Sequence, residues 1–363
     1  MISIIGGNYI GGYLAYLLAK KEQDVTVYEE HSQVGKPYRD TGIVTDILSD
    51  LVPLKDEFIL NVVNKVKIIA GDSSLILPIR NEYVLDQVKF SEYLMELALA
   101  EGASLKLNSR FKNFKKSGPK LKLEFSNFNC NTDYLVGADG ANSTVARVAG
   151  LHKNVDCLMG MEARVKMDVD EDTYEVYPKF VDDFFGWVVP EGNGIARIGL
   201  ATRDNVNEKF KKFLKMRDAK KILSKNGGVI LSYDSKAEVS KDNVYLVGDA
   251  TGFVKSSTGG GILTGMMAAQ ELTNSIVEGK NYVRLVKRRI GKELWFHHKI
   301  RNTLDKFSEE DYVRLMGYLN QKKIKNIISK INRDYPSKFL FSLLLREPRL
   351  IRFAKKSIME TFI

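Results

Sequence analysis

Cysteine is almost missing: Cys130 and Cys157 are the only two in 363 residues. Two cysteines cannot build a disulfide framework, and no secretory pattern precedes the first strand at Ile2, which indicates a reducing, cytoplasmic setting. No run of eighteen or more apolar residues occurs, so nothing in the sequence reads as a bilayer span, although peripheral attachment stays open. Zinc-ligand clusters, RNP-like aromatic motifs and helix-turn-helix signatures are also missing, so neither a metal site nor a nucleic-acid partner is expected. Positive charge, by contrast, is plentiful. Lys and Arg number 55 against 45 Asp and Glu, for a net charge of +10 and a pI of about 9.2. The excess favours an anionic partner such as cofactor phosphates or lipid headgroups. With 44% hydrophobic and 28% charged residues, the composition is that of an ordered globular protein. The length suits two domains, or one large discontinuous domain carrying an inserted one, and can bury a large cofactor.

Ile2-Ser3-Ile4-Ile5 reads as a short buried strand, followed by Gly6-Gly7-Asn8-Tyr9-Ile10-Gly11 and an apolar helical run through Leu14, Leu17 and Leu18. The next strand, Val25 to Tyr28, closes on Glu29. Strand, glycine turn, helix and strand make one right-handed βαβ unit. Residues 62–79 read as a hairpin about Gly71-Asp72-Ser73-Ser74, and a helix is expected from about Phe90 to Glu101. Between Gly160 and Ser232 the pattern is again β, with a turn at Pro190-Glu191-Gly192-Asn193-Gly194 and a helical stretch from Val206 to Leu223. A last strand, Val244 to Val247, precedes a loop and a helix from about Gly261 to Val277, and helical periodicity fills the remainder.

The expected fold is therefore α/β. A Rossmann-type domain is assembled from residues 1–60, 80–150 and 236–280, an antiparallel β-sheet domain for substrate from 61–79 and 151–235, and a helical region from 281–363.

Gly6-x-Asn8-x-x-Gly11 sits where a dinucleotide fingerprint belongs, with Asn in place of the middle Gly. Such a turn lets a pyrophosphate approach the helix N-terminus, where unpaired N–H groups and the helix dipole favour an anion. Asn is the non-glycine residue that best tolerates left-handed backbone angles, at a cost of roughly 1 kcal/mol. Glu29, at the end of the second strand, stands where a carboxylate accepts from ribose hydroxyls and repels a 2′-phosphate, so FAD or NAD suits this end better than NADP. Two later segments, Val136-Gly137-Ala138-Asp139-Gly140 and Val247-Gly248-Asp249-Ala250, each put an Asp next to a Gly just past a strand, at the edge where open α/β sheets bind ligands. Gly259-Gly260-Gly261-Ile262 then offers a glycine-rich helix start whose N–H groups can face a flavin or ribityl phosphate.

In this order the three segments resemble the flavoprotein hydroxylase-type fold and, in detail, the archaeal geranylgeranyl reductase family, from Ile2 to about Leu272. The resemblance implies FAD as cofactor. It assigns Gly6, Asn8, Gly11 and Glu29 to the ADP part, Asp139 and Gly140 to the pyrophosphate, Gly248 and Asp249 to ribityl and flavin, with Gly260, Gly261 and Ile262 beside them. Val34 to Ile43 is similar to the reductases' segment over the isoalloxazine. Phe184-Phe185-Gly186-Trp187-Val188-Val189-Pro190 resembles their aromatic-Trp-x-x-Pro strand, which makes Phe184, Phe185, Trp187 and Pro190 candidate substrate residues lining a prenyl tunnel; an aromatic stripe is also ordinary core. The chain departs from the family at Asn8, at Asp40 where Cys is common, at Gln87 where Arg is usual, and at Val254-Lys255 in place of a Pro-containing approach.

The implied reaction is reduction of isolated C=C bonds in a geranylgeranyl lipid, with a hydride from the flavin and a proton from an acid. Asp40 is a candidate donor if buried, since desolvation favours its neutral form; it reads equally well as a turn aspartate. No second dinucleotide fingerprint is visible, so NAD(P)H and ferredoxin both remain open as electron donors. Basic residues beside Leu294-Trp295-Phe296, and Arg346, Arg349, Arg352, Lys355 and Lys356 after Phe339-Leu340-Phe341 and Leu343-Leu344-Leu345, suit a peripheral contact with an anionic membrane or a solvated helical cap. The rivals are an FAD monooxygenase of the aromatic-hydroxylase type and a flavin- or lipid-binding paralogue without turnover.

Overall fold

The computed structural model describes residues 1–38, 40–151 and 156–353; Arg39 and the basic pair Lys355 and Lys356 lie outside them. The first sheet has six strands in the order Ser240–Lys241, Val244–Leu246, Tyr134–Gly137, Ile2–Ile5, Val25–Tyr28, Ser104–Lys106. All its neighbours run parallel except the Ser240–Lys241 hairpin edge. Its central strands Ile2–Ile5 and Val25–Tyr28 are buried on both faces, as in a covered parallel sheet. Ile2, Ile4, Val27 and Val136 pack with the helices Tyr9–Ala19, Gln87–Ala100 and Ile262–Glu278. Ile5, Tyr28 and Leu135 face the other way, onto Phe111, Leu121, Leu123 and Phe125 of a small three-stranded sheet.

The second sheet has eight strands in the order Lys221–Leu231, Cys157–Lys166, Ile195–Thr202, Gly186–Gly192, Thr173–Tyr177, Ile59–Ala70, Ser73–Leu85, Ile43–Thr45. It is antiparallel save for one parallel pair, Thr173–Tyr177 with Ile59–Ala70. It is also larger than the segments 61–79 and 151–235 expected for it. The hairpin runs on to Leu85, and Ile43–Thr45 adds to it as an edge strand, Val44 opposite Tyr83. The helix expected to reach Leu223 stops at Met216, because Asp218 takes a left-handed angle (φ +50°) and the chain re-enters the sheet at Lys221.

The C-terminal helices Glu309–Leu319, Lys322–Ile328 and Pro336–Arg346 close over one end of this sheet. Tyr312, Met316, Leu319, Ile324, Ile328 and Leu343 share a core with Val66, Leu75 and Leu77 of the hairpin. Among the described residues, no helix is long and apolar enough to cross a membrane.

Candidate active site

The first strand ends in a turn held by Gly6 at φ +105°, where a Cβ would lie 2.4 Å from the Ala138 carbonyl oxygen. Gly11 packs the first helix onto that turn, since a Cβ there would lie 1.9 Å from the Gly6 carbonyl oxygen. Asn8 is not left-handed as the sequence suggests: its φ is −72° and its ψ −177°, extended backbone open to any residue. Gly6 already makes the left-handed step, so the Asn8 side chain is free for another task. Its Oδ1 accepts from the Gly35 N–H at 3.0 Å and fastens the turn to the loop after Val34. No side chain caps the first turn of the helix and no acid lies in it, which leaves its N-terminus fit for an anion.

Glu29 is buried and steers this turn, its Oε2 accepting from Gly7 N–H at 2.8 Å and its Oε1 from His31. Asp139 turns its carboxylate to the next helix start, accepting from Ser143 Oγ at 2.6 Å and from the N–H groups of Thr144 and Val145. Gly140 beside it has φ +78° and nothing within 4 Å of a Cβ, so the loop leaves open space. Gly6, Asn8, Glu29, Asp139, Gly140, Gly248 and Asp249 thus line one cleft of about 260 Å³ at the carboxyl edge of the parallel strands.

A second cavity, of about 480 Å³, runs between the large sheet and the C-terminal helices. Phe184, Phe185, Trp187, Gly260, Gly261 and Ile262 line it, as do Val66, Leu77, Met316 and Phe339 from its far end. Tyr9, Asp40, Gly228, Val229 and Asp249 border both spaces. Of the residues assigned to cofactor, substrate or proton donor, Gly11 and Pro190 line neither; Pro190 is buried, its carbonyl accepting from Asn61 at 3.1 Å.

At the junction Asp40 is half-buried. Its carboxylate accepts from the Tyr9 hydroxyl and, at 3.2 Å, from Gln87 Nε2, which also reaches the Asp40 carbonyl. Burial raises the Asp249 carboxyl to about 6, and the nearby Asp40 charge adds to the effect. Three sets of contacts escaped sequence reading. Glu162, buried, accepts at one oxygen from Thr41 Oγ1 at 2.6 Å and from Trp187 Nε1 at 2.9 Å. Burial lifts its carboxyl to about 7 against the pull of Arg197. Arg197, also buried, ties Glu191 at 2.5 Å to the carbonyls of Thr41 and Leu85. On the opposite wall Lys255 binds Asp334 at 2.5 Å, Arg333 holds Glu82 through two bonds, and Ser257 meets His297 at 2.6 Å. Burial drives His297 down to about 3, so its ring is neutral.

The FAD binding domain family matches residues 1–279. The chain belongs to that family. Its cofactor is FAD, and it is an FAD-dependent oxidoreductase that resembles the archaeal geranylgeranyl reductases over nearly its whole length. It is 27% identical to digeranylgeranylglycerophospholipid reductase 2 of Methanothermobacter thermautotrophicus, over 93% of this chain and 97% of that one. It is 24% identical to digeranylgeranylglycerophospholipid reductase of Thermoplasma acidophilum, over 92% and 96%. Among solved structures, a geranylgeranyl bacteriochlorophyll reductase-like protein of Thermoplasma acidophilum superposes with a TM-score of 0.84 at 20% identity, covering 98% of both chains. A halogenase in complex with FAD shares the fold more loosely, at a TM-score of 0.66 and 13% identity over 99% and 94%. The cleft suits the cofactor: uncapped helix amides for a pyrophosphate, a strand-end carboxylate for a ribose, and glycines that keep the floor bare.

Proposed function

We propose that this flavoprotein saturates carbon–carbon double bonds in the prenyl chains of an isoprenoid lipid or its precursor. The observation that carries the reading is the apolar cavity of about 480 Å³ that meets the FAD cleft at Tyr9, Asp40 and Asp249. Such a space threads a chain past the flavin and keeps water away from it. The curated relatives named above, matched over more than nine-tenths of this chain, support the same substrate class.

When bound, reduced FAD supplies the hydride. The chain's own residues do the rest. Gly6 and the uncapped start of the Tyr9–Ala19 helix hold the ADP end, Gly140 leaves room for the pyrophosphate, Gly248 lies against ribityl and flavin, and Glu29 orients the ribose. The start of the Ile262–Glu278 helix, likewise without a capping side chain, faces the cavity. Phe184, Phe185 and Trp187 align the alkene. An acid at the junction delivers the proton, Asp40 being the one expected from sequence.

The substrate arrives from a membrane surface. The Pro336–Arg346 helix lines the cavity with Pro336 and Phe339 while presenting Phe341 (67% exposed) and Leu345 (65%) to solvent, beside the exposed cations Lys338 and Arg346. Apolar groups ringed by cations dock on anionic lipid.

The test is anaerobic incubation of the chemically reduced holoprotein with geranylgeranyl glycerol ethers, followed by mass spectrometry. The expected result is a gain of one H2 per reduced bond together with flavin reoxidation; reoxidation only by oxygen, with the lipid unchanged, overturns the reading.

A further inference from the structure

Glu162, Gly199 and Trp187 lie in one row across three neighbouring strands, Gly199 facing Glu162 on one side and Trp187 on the other. A Cβ on Gly199 would sit 2.5 Å from the Trp187 ring. Only a glycine in the middle lets the indole lie flat across its strand, and its N–H thereby reaches the carboxyl of Glu162. Thr41, from the loop that also carries Asp40, donates to that same oxygen. The carboxyl is thus held from two sides in the wall of the apolar cavity, next to the residues that border the FAD cleft.

We propose that Glu162, rather than Asp40, is the acid that protonates the alkene. The inference rests on the reductase reading above. In the step, one alkene carbon takes a hydride from the reduced flavin and the other takes the proton of the Glu162 carboxyl. The C=C π bond is replaced by two C–H bonds, the alkene gains two electrons, the flavin loses two, and Glu162 is left as a carboxylate that recovers a proton from water.

An isolated alkene cannot be polarised by hydrogen bonding, so its acid must be dry and still protonated near neutral pH. Glu162 meets both conditions. It is buried, and desolvation raises its carboxyl to about 7. The charged groups bearing on it are Arg197, on the adjacent strand, which favours the anion, and Asp40, which favours the acid. Arg197 is itself held by Glu191, which also pairs with Arg164 at 2.6 Å, so its pull on Glu162 is tempered. Asp40 is only half-buried and already accepts from Tyr9 and Gln87. Its part is that of a positioning residue whose charge holds the proton on Glu162.

The experiment compares Glu162→Gln, Asp40→Asn and Trp187→Phe with the parent protein. Gln keeps an acceptor for Thr41 and Trp187 but has no proton to give. On the flavin-free protein, infrared spectroscopy is expected to show a protonated-carboxyl band that titrates near pH 7 and disappears in Glu162→Gln. In the FAD-loaded protein, Glu162→Gln is expected to take up and release electrons at the flavin as before while prenyl reduction slows on the order of a hundredfold. Trp187→Phe removes a donor to the carboxylate and moves the alkaline limb of the rate profile upward; Asp40→Asn moves it downward. A missing band, or prenyl reduction by Glu162→Gln at the parent rate, or loss of reduction in Asp40→Asn alone, overturns the assignment. If the parent protein itself reduces no prenyl chain, the reductase reading falls and the donor role with it, whereas the infrared band judges the proton on Glu162 separately.

Discussion

Gln87 donates to Asp40 at 3.2 Å, so two of the positions at which the chain departs from the reductases it resembles are in direct contact. An Asp that replaces Cys and a Gln that replaces Arg form one linked change. The neutral amide binds the Asp40 carboxylate and its carbonyl without adding a positive charge beside the flavin cleft. Replacing Gln87 with Leu removes the donor from a buried position and is expected to cost about 1–3 kcal/mol, read as a lower urea midpoint. An unchanged midpoint contradicts the linkage.

Gly199 is a packing requirement of the same wall. Gly199→Ala forces the Trp187 indole off its strand and is expected to destabilise by roughly 1–3 kcal/mol. The tryptophans are Trp187 and Trp295, so a Trp295→Phe background isolates the Trp187 signal. Its fluorescence is expected to shift toward that of a solvated indole, and an unshifted spectrum would show that the indole does not depend on the bare strand beneath it.

What could be read from residues alone follows how local each signal is. The strand–glycine turn–helix–strand unit at residues 2–28 was legible because its signal is contained in one short consecutive stretch. The loops at Asp139 and Asp249 were legible as strand-end loops for the same reason. Asn8 was misjudged because the left-handed step falls at Gly6, a backbone angle that spacing does not reveal. The edge strand Ile43–Thr45 was missed because its partner is forty residues away, and the helix end at Met216 because Asp218 ends it by backbone conformation alone. Glu162 looked like any strand residue. Its meaning depends on a glycine and a tryptophan from two other strands, and no periodicity carries that information.

Lys255 and Asp334, 79 residues apart, join the glycine-rich loop to the C-terminal helices. Both are buried, so each depends on the other. Lys255→Met leaves the buried Asp334 carboxylate with the Thr45 hydroxyl at 3.0 Å but without the cation that pairs with it, and is expected to cost roughly 3–5 kcal/mol. Lys255→Met combined with Asp334→Asn removes both charges, and the pair is expected to recover more than half of that loss. Denaturant titration of the two single variants and the double variant checks it, and strictly additive losses would refute the coupling.

The proposed membrane docking makes a separate demand on Phe341 and Leu345. Because both are exposed in the folded chain, Phe341→Ser with Leu345→Ser is expected to leave stability within about 0.5 kcal/mol. Losing two side chains that bury in lipid at roughly 1.5–3 kcal/mol each is expected to weaken binding to anionic vesicles at least tenfold. Co-sedimentation measures this directly. Undiminished binding by the double variant would remove the helix from the docking surface.

The raised Glu162 carboxyl also gives a pH dependence of stability whose sign is fixed. In the unfolded chain it titrates at its ordinary value of 4.5, and in the folded protein at about 7. The fold therefore prefers the protonated form. Stability from this group is full below the unfolded value and is lost as pH rises through the folded one. Across that window the flavin-free protein is expected to lose roughly 3 kcal/mol from Glu162. Glu162→Gln carries no titrating proton, so its melting temperature is expected to fall less between pH 4.5 and 7.5. Asp249, raised to about 6, contributes a loss of the same sign that persists in the variant, so the difference between the two proteins isolates Glu162. Parallel melting curves for parent and variant across that range would mean that the carboxyl is ionised throughout and has no proton to donate.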